Sequence, residues 1–275
     1  MTNEPTAPPL DPQWLATARQ VAIEAGTLLV EARGKVAAES KGPRDLVTDA
    51  DRSAQRLIRN RLLEAFPDHL FLGEEQESEH EPPEAGAWHE DYTWVVDPLD
   101  GTMNFVHGIP HFAVSIALLY RGQPLVGVIR QPMCDATFWA EAGGGSWLNG
   151  EQLRCSACHS VGEALVAISL AAHVDPDSLE VRQFVQLLEV AQGIRRMGSA
   201  ALNLAHVAAG WLDGYWAWHG NIWDVAAGWL MVQEAGGSVL GLMGDPFDVH
   251  RPHLVAAGTD QLARELIGIL NRDTH

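Results

Sequence analysis

Four strand-like segments follow one another between residues 92 and 142, and Gly and Pro residues separate them. Their sequences are YTWVV, FAVSIALLY, LVGVIR and ATFWAEA, which contain few charged residues. Short apolar runs bounded by turn residues are typical of strands that follow one another through hairpins. The run therefore predicts a meandering, largely antiparallel sheet, and its apolar faces must be covered by other layers.

Helical patterns flank this sheet on both sides. Residues 14–32 and 51–66 have the apolar spacing of helices, and HLFLG (69–73) has the pattern of a short buried strand. After residue 160, strand-like and helical segments alternate; they are residues 164–170, 178–191, 199–212, 223–237, 238–243, 253–258 and 259–271. The pattern predicts an α/β fold of stacked layers in two halves, residues 12–160 and 161–275, that form one compact unit.

The charge balance restricts the partners. Asp and Glu outnumber Lys and Arg 36 to 18 in a chain of 275 residues, which gives a formal net charge of -18. Nucleic acids and anionic membranes are bound by clustered basic residues. We therefore expect neither as the main partner, and cation binding fits the composition better.

The chain termini and loops carry little further signal. No segment approaches the ~20 consecutive apolar residues of a membrane span. Residues 1–11 are polar and proline-rich without the features of a secretory signal, so we expect a disordered tail and a cytoplasmic protein. The acidic segment 76–91 contains two prolines and is expected to be an exposed, mobile loop.

Cys155 and Cys158 lie in the sequence CSACH, which formally matches a haem-attachment site or a redox pair. Haem attachment requires export, a zinc site needs further ligands, and a redox pair normally opens a helix after a strand. The segment instead follows GGGSWLNGEQLR, which has the pattern of a hairpin end and a loop. We interpret the match as coincidental.

The stretch WVVDPLDGTMNF, residues 94–105, places two carboxylates close together in a turn. Asp97 is at the end of an apolar strand, which Pro98 is expected to stop, and Asp100 follows in the turn. Two like charges a few Å apart repel by about 4 kcal/mol at an effective dielectric constant near 20. The two carboxylates and the carbonyl oxygen of Leu99 are ligands of the kind that Mg²⁺ prefers.

The two residues that follow Asp100 have backbone groups suited to binding an anion. The backbone N–H groups of Gly101 and Thr102 are placed to donate to a phosphate at the start of a helix. The alternative is that Asp97 and Asp100 form turns that cap a helix. The spacing alone favours neither reading.

Three other segments place carboxylates at the ends of predicted elements. Glu74 and Glu75 directly follow a short strand, where two carboxylates are unusual unless the site is solvated or holds a metal. Asp224 lies at a predicted helix start, where Asp is also a favoured N-cap. The segment DLVTDAD contains three aspartates, one of which is expected to cap the second helix; they are Asp45, Asp49 and Asp51.

The motifs GEE, WVVDPLDGTMNF, NIWDVAAG and DLVTDAD occur in the order and approximate spacing of the inositol monophosphatase family. The chain resembles that family from about residue 12 to its end. The resemblance implies an αβαβα sandwich, hydrolysis of phosphate monoesters that depends on two or three Mg²⁺ ions, sensitivity to lithium, and a homodimer. The partner that it implies is a small phosphorylated metabolite.

The resemblance also implies roles for individual residues. Glu74, Asp97 and the Leu99 carbonyl would hold one metal, and Asp97 would bridge to a second metal held with Asp100 and Asp224. Glu74 would be catalytic as well.

Two further roles concern the water and the phosphate. Asp51 and Thr102 resemble the pair that orients the attacking water and helps to deprotonate it, and Gly101 with Thr102 would contact the phosphate. A haloacid-dehalogenase-type phosphatase, with a nucleophilic aspartate in an Asp-x-Asp-x-Thr pattern, is disfavoured because the spacing here is Asp-x-x-Asp-Gly-Thr.

The substrate is less well determined. The segment GSAAL resembles the substrate-contact segment of the family, so Gly198, Ser199 and Ala200 are candidate pocket residues; the other reading is packing at a helix start. Inositol-specific members carry a glutamate seven residues before the aspartate of the WD motif, and that position is Ala217 here. A site that hydrogen-bonds a hydroxyl loses discrimination without its partner.

The residues around this position leave two readings open. Trp216, Trp218 and His219 either pack in the core or present an aromatic wall to a ring-bearing substrate. Arg195 and Arg196 are expected to form surface or subunit-interface pairs.

Two classes of function follow from the sequence. The first is an inositol-1-phosphatase-like enzyme, or the same chemistry on histidinol phosphate, fructose 1,6-bisphosphate, a 3′,5′-bisphosphonucleotide or NADP. The second is a regulatory binding protein that keeps the fold.

Overall fold

The computed structural model describes residues 9–35, 38–42, 45–75, 91–171 and 174–272. The helices are α1 (Pro12–Ala32), α2 (Asp49–Ala65), α3 (Thr102–Val106), α4 (Leu179–Val190), α5 (Ala200–Ala208), α6 (Ile222–Glu234) and α7 (Asp260–Leu270). The strands are β1 (Ala38–Gly42), β2 (Asp45–Thr48), β3 (Leu70–Gly73), β4 (Thr93–Asp100), β5 (Ala113–Tyr120), β6 (Gln123–Gln131), β7 (Ala136–Glu141), β8 (Gly145–Leu148), β9 (Glu151–Gln152), β10 (Leu165–Ser169), β11 (Gly193–Arg195), β12 (Gly214–Ala217), β13 (Ser238–Leu240) and β14 (Leu254–Ala257).

The first large sheet is the predicted meander. Its strand order is β3-β4-β5-β6-β7-β8-β9, and every pairing is antiparallel except that of β3 with β4. Strand β5 is buried on both faces, because Val114, Ile116 and Leu118 pack with α1 and α2 while Ala113 and Ala117 face the other way. Successive side chains of a strand point to opposite faces, so this one strand contributes to two cores.

The second large sheet has the strand order β11-β10-β12-β14-β13. β10 pairs in parallel with both β11 and β12, so the carboxyl ends of these three strands lie at one edge of the sheet. β14 is antiparallel to both of its neighbours, β12 and β13. This parallel edge forms the wall of the cavity described below.

Helices separate and cover the two sheets. α1 and α2 pack on the outer face of the first sheet, α5 and α6 lie between the sheets, and α4 and α7 cover the outer face of the second sheet. This order of layers, αβαβα, confirms the predicted fold class. In the described part of the chain, no helix is both long and apolar enough to cross a membrane.

Two expectations fall on residues outside the described ranges. These are the disordered tail, for residues 1–8, and the mobile acidic loop, for residues 76–90. Within the described residues, Asp11 is the N-cap of α1, and its side chain accepts a hydrogen bond from the N–H of Gln13. The division into halves near residue 160 stays a proposal.

Candidate active site

The carboxylate of Asp97 is held by a bulge in strand β4. The sequence-based expectation that Pro98 ends this strand is wrong, because β4 continues to Asp100 and its pairing with β5 shifts register between Asp97 and Asp100. Pro98 has no N–H to donate, and the N–H of Leu99 donates instead to Asp97 Oδ1 at 2.9 Å. The bulge therefore turns both aspartates into one buried site, with Asp97 only 2% exposed.

Asp100 receives hydrogen bonds from the first turn of α5. Ser199 Oγ donates to Asp100 Oδ2, the N–H of Ala201 donates to the same oxygen at 2.9 Å, and the N–H of Ala200 donates to Oδ1 at 3.2 Å. The positive end of the helix dipole adds to these contacts. One carboxylate thus joins the first sheet to the helix layer between the sheets.

We expect Ser199→Ala to lower both activity and stability. Ser199 is the N-cap of α5, since its hydroxyl accepts from the N–H of Leu202 at 3.3 Å while it also contacts Asp100. Loss of an N-cap costs about 1 kcal/mol of unfolding free energy. Because Asp100 is also released, kcat should fall about tenfold, to be measured as phosphate release beside thermal unfolding.

Ser178→Ala is the matched control. Ser178 is the N-cap of α4, where its hydroxyl accepts from the N–H of Val181 at 3.3 Å, and it is not among the residues that line the cavity. It should lose similar stability and keep wild-type kcat. Equal losses of activity in the two variants would contradict a role for Ser199 in holding Asp100.

Two more carboxylates reach the same place from other elements. Glu74 follows β3, and its N–H donates to the carbonyl of Val96 at 3.1 Å, next to Asp97. Asp224 lies in the first turn of α6 and accepts from the N–H of Asn221 at 2.7 Å. The alternative reading of Asp224 as an N-cap is wrong, because Asn221 is the N-cap and Asp224 is the third residue of the helix.

Burial and mutual repulsion dominate the electrostatics of the acidic side chains at this site. Burial raises the pKa of Asp97 well above its ordinary value, and the charges of Glu74, Asp100 and Asp224 raise it further. Burial also raises the pKa of Asp100 against its hydrogen bonds with α5, and burial and the charge of Asp100 raise that of Asp224. The three aspartates are therefore held where their charged forms are disfavoured unless a cation is near.

The donor chemistry fits a hard divalent cation. The ligands on offer are carboxylate oxygens and the carbonyl oxygen of Leu99, with no thiol or imidazole among them. In the described part of the chain, however, no three His, Cys, Asp or Glu side chains are already arranged as a metal-binding group. The side chains of Asp97 and Glu74 are nevertheless within hydrogen-bond reach of each other, and the charges of Asp100 and Asp224 also act on Asp97.

The predicted pair of Asp51 and Thr102 is brought together across the sheet edge. Thr102 Oγ1 is 3.2 Å from Asp51 Oδ1 and 3.0 Å from the Leu99 carbonyl oxygen. Asp51 Oδ2 accepts from both the N–H and the hydroxyl of Thr48, at 2.9 and 2.5 Å. Burial raises the pKa of Asp51 even though these hydrogen bonds oppose the shift, so its carboxylate is a better proton acceptor than an exposed one.

The N-terminus of α2 differs from the prediction that an aspartate caps it. Thr48 is the N-cap, its hydroxyl accepts from the N–H of Ala50 at 3.1 Å, and Asp51 completes a capping box from the third helical position. Asp49 is exposed and pairs with Arg52 at 3.4 Å. The side chain of Asp45 lies outside the described residues.

Gly101 and Gly198 lie where the two halves of the site meet. Gly101 has a φ of 97°, and a Cβ there would be 3.1 Å from the carbonyl oxygen of His111 and 3.2 Å from that of Gly198. Asn104 Nδ2 ties the same junction together by donating to the carbonyls of His111 and Met197 at 2.7 and 2.8 Å. The N–H groups of Gly101 and Thr102 have no hydrogen-bond acceptor among the described residues, which leaves them available to an anion.

A cavity of about 220 Å³ opens beside the carboxylates. It is lined by Asp100, Ile168, Ser169, Leu170, Arg196, Gly198, Ser199, Ala200, His219 and Asp224. Five of these residues were predicted from the sequence: Asp100, Gly198, Ser199, Ala200 and Asp224. The volume of the cavity is below the roughly 300–1,000 Å³ of common ligand pockets. Its size suits a small metabolite.

Other sequence-predicted residues are placed away from the cavity. Ala217 is 1% exposed at the end of β12, paired with Ser169 and Leu254, and does not line the cavity. Trp216 is fully buried in the outer core, and the indole N–H of Trp218 donates to Gln183. An aromatic wall formed by these tryptophans is therefore absent from the described cavity.

Five lining residues were not among the predicted site residues: Ile168, Ser169, Leu170, Arg196 and His219. Of these, His219 was considered only as part of an aromatic wall. Arg196 was expected in a surface or interface pair and instead lines the cavity. A signal was available, because β10, β11 and β12 end at or near these residues and ligands commonly bind outside the carboxyl ends of parallel strands.

The CSACH segment has no arrangement for redox or metal chemistry. Cys155 Sγ donates to the carbonyl of Val232, whereas Cys158 Sγ donates to that of Ser160. Burial raises the pKa of both thiols, so neither is poised as a thiolate. The geometry agrees with the coincidental reading.

Comparison with known proteins gives consistent matches along the chain. The family model described as the inositol monophosphatase family matches residues 11–275. The inositol-1-monophosphatase of Rhizobium meliloti (strain 1021) is 39% identical over 259 residues, which cover 92% of this chain and 94% of that protein. The Nus factor SuhB of Pseudomonas aeruginosa is 40% identical over 251 residues, which cover 89% and 91%.

Solved structures agree with these matches. The crystal structure of the extragenic suppressor protein suhB from Bartonella henselae superposes with a TM-score of 0.87 at 38% sequence identity. The superposition covers 95% of this chain and 99% of that chain. The likeness therefore extends over the whole layered fold and both sheets.

Proposed function

Because the chain belongs to the inositol monophosphatase family and is a phosphoric monoester hydrolase, we propose that it hydrolyses a small polyol phosphate with Mg²⁺. The observation that carries the proposal is the meeting of four acidic side chains from three parts of the chain, β4, the end of β3 and the start of α6, beside one small cavity. They are Glu74, Asp97, Asp100 and Asp224. An attacking water activated at this site acts on the ester without a covalent phosphoenzyme.

The residues that would hold the metal ions are the carboxylates and the carbonyl of Leu99. Glu74, Asp97 and Leu99 would serve one ion, and Asp97, Asp100 and Asp224 a second. When bound, Mg²⁺ supplies a water of lowered pKa and neutralises the charge of the leaving alkoxide. Inhibition by Li⁺ belongs to the same proposal, because a weakly held second ion is open to competition.

Thr102 and Asp51 provide the path for the proton. The hydroxyl of Thr102 accepts a proton from the attacking water as its own proton moves to Asp51 Oδ1, 3.2 Å away. The two hydrogen bonds from Thr48 hold the acceptor carboxylate in place. The free N–H groups of Gly101 and Thr102 orient the phosphate, while Gly198, Ser199 and Ala200 border the alcohol.

The cavity supports a small substrate over a nucleotide. A volume of about 220 Å³ leaves little room for NADP or a 3′,5′-bisphosphonucleotide. Inositol 1-phosphate, histidinol phosphate and fructose 1,6-bisphosphate remain as candidates. We expect phosphate release from at least one of these three with Mg²⁺, and slower release from the two nucleotides, when kcat/KM is measured for all five.

A regulatory role is the second candidate, and the likeness to a Nus factor of Pseudomonas aeruginosa favours it. Phosphate release from none of the five compounds would support that role and overturn the enzymatic proposal. The homodimer and the cytoplasmic location stay predictions.

A further inference from the structure

The lining of the cavity includes two nitrogen-bearing side chains, Arg196 and His219. Arg196 directly follows β11, and His219 lies two residues beyond β12. Because β11, β10 and β12 are parallel neighbours, their carboxyl ends present both side chains at one edge of the sheet. Asp100 and Asp224 lie on the same cavity, so its lining carries both signs of charge.

Arg196 is an exposed guanidinium without a partner among the described residues. No hydrogen bond or ion pair joins it to another residue in the described ranges, whereas Arg130 and Arg264 pair with nearby aspartates. A guanidinium is always charged and presents a fork of donors that matches phosphate and carboxylate oxygens. Its position in the cavity therefore offers an unbalanced positive charge to a ligand.

His219 is held at the cavity by a buried carboxylate. Its Nε2 is 3.7 Å from Glu180 Oε2, and the side chain of Glu180 is only 8% exposed. Glu180 is fixed in turn, because its Oε1 accepts from the N–H of Ala171 at 2.9 Å. The imidazole of His219 beside Glu180 offers a ring N–H donor to a ligand, while Arg196 contributes the positive charge.

We propose that Arg196 and His219 form a second anion subsite, so that the preferred substrate is a small polyol phosphate with another anionic group. The inference rests on the proposed function. The ester phosphate lies at the acidic cluster with its metal ions, and the second phosphate or carboxylate lies against Arg196.

The test compares two esters that differ by one phosphate. Wild-type kcat/KM for fructose 1,6-bisphosphate should exceed that for fructose 1-phosphate about tenfold or more, since a hydrogen bond to a charged group has that effect on affinity. Arg196→Gln should lower kcat/KM about tenfold more for the bisphosphate than for the monophosphate. His219→Gln should lower kcat/KM about threefold more for the bisphosphate than for the monophosphate. The effect is smaller because the glutamine side chain keeps an N–H donor.

Arg195→Gln is the matched control. Arg195 precedes Arg196 in the sequence, is exposed, and donates to the carbonyl of Ile194 outside the cavity lining. It should leave both esters at wild-type values. Sorbitol 6-phosphate and gluconate 6-phosphate, which differ by a carboxylate, show whether the subsite takes a carboxylate as well as a phosphate.

The outcomes separate the subsite from the function itself. Equal kcat/KM for the two fructose esters in the wild type, or equal losses for both in Arg196→Gln, would overturn the subsite while the hydrolase stands. If no ester is hydrolysed, the proposed function fails, and calorimetric binding of the same two esters then tests the subsite. Tighter binding of the bisphosphate that Arg196→Gln abolishes would support it, and equal binding would refute it.

Discussion

Asp97→Asn is expected to lower kcat for phosphate release about a thousandfold, which is the scale of losing a central charged group in an active site. Asp97 is buried and in electrostatic contact with Glu74, Asp100 and Asp224. Asparagine has the same shape but removes the charge that would bridge two ions. The loss of rate should therefore come without a loss of fold.

The same substitution should not lower the free energy of unfolding of the metal-free chain, and at neutral pH it should tend to raise it. Burial and neighbouring carboxylates raise the pKa of Asp97, so at neutral pH its charged form costs folding free energy. That cost is absent below the ordinary pKa of an aspartate and grows as the pH rises toward the raised pKa. Asn avoids it, so metal-free Asp97→Asn should melt no lower than the wild type at pH 7, and any gain should vanish toward pH 4.

Asp177→Asn is the control for this substitution. Asp177 is exposed in the turn before α4, and only its backbone makes the hydrogen bonds recorded there. It should keep wild-type kcat and wild-type melting. An Asp97→Asn variant with a tenth or more of wild-type kcat would show that Asp97 does not bridge the ions.

Gly228→Ala should destabilise the chain by about 1–3 kcal/mol, the range typical of overpacking a core. Gly228 lies in α6 where this helix crosses α5, and a Cβ there would be 2.4 Å from Leu204 Cβ. Leu204 is fully buried, so the two helices must separate. α5 and α6 also carry Ser199 and Asp224 at their starts, so activity should fall together with the melting temperature.

Gly268→Ala tests whether the effect is steric. Gly268 lies in α7, and a Cβ there has no neighbour within 4 Å. Alanine is favoured over glycine in a helix by about 1 kcal/mol, so this variant should be slightly more stable than the wild type. If both variants change stability alike in urea unfolding, the close approach of α5 and α6 is not what requires Gly228.

The sequence predicts the fold well where periodicity is strong. FAVSIALLY became β5, whose alternate residues fill two cores, and the amphipathic segments became helices. Strands β9 and β12 were missed because stretches of two and four residues show little alternation, although the apolar run of β3, also four residues long, was predicted. Pro98 was misread because a bulge depends on the partner strand, which local sequence does not contain.

The helix caps were misassigned for a related reason. In both Thr48-x-x-Asp51 and Asn221-x-x-Asp224, two oxygen-bearing residues three apart satisfy the helix start together. Considering the aspartate alone pointed to the wrong N-cap residue. The two residues together form a capping box, which can be recognised in a sequence.

The residues of the candidate site also differ in whether the local sequence could predict them. Asp97 and Asp100 are close in the sequence, the motifs around Glu74 and Asp224 predicted the other two carboxylates, and the structure places Asp51 beside Thr102 as predicted. Arg196 and His219 could not be linked from the sequence, because only the parallel pairing of β10 with β11 and β12 brings them to one wall. The chemistry was therefore more predictable than the substrate.

Phosphate release by the metal-stripped chain during titration with Mg²⁺ tests the assignment of the acidic cluster most directly. With a small polyol phosphate as substrate, release should be absent after chelation and return as Mg²⁺ is added. Li⁺ should suppress the restored rate. Undiminished phosphate release after complete chelation would contradict the role of the four carboxylates as ligands of a catalytic metal.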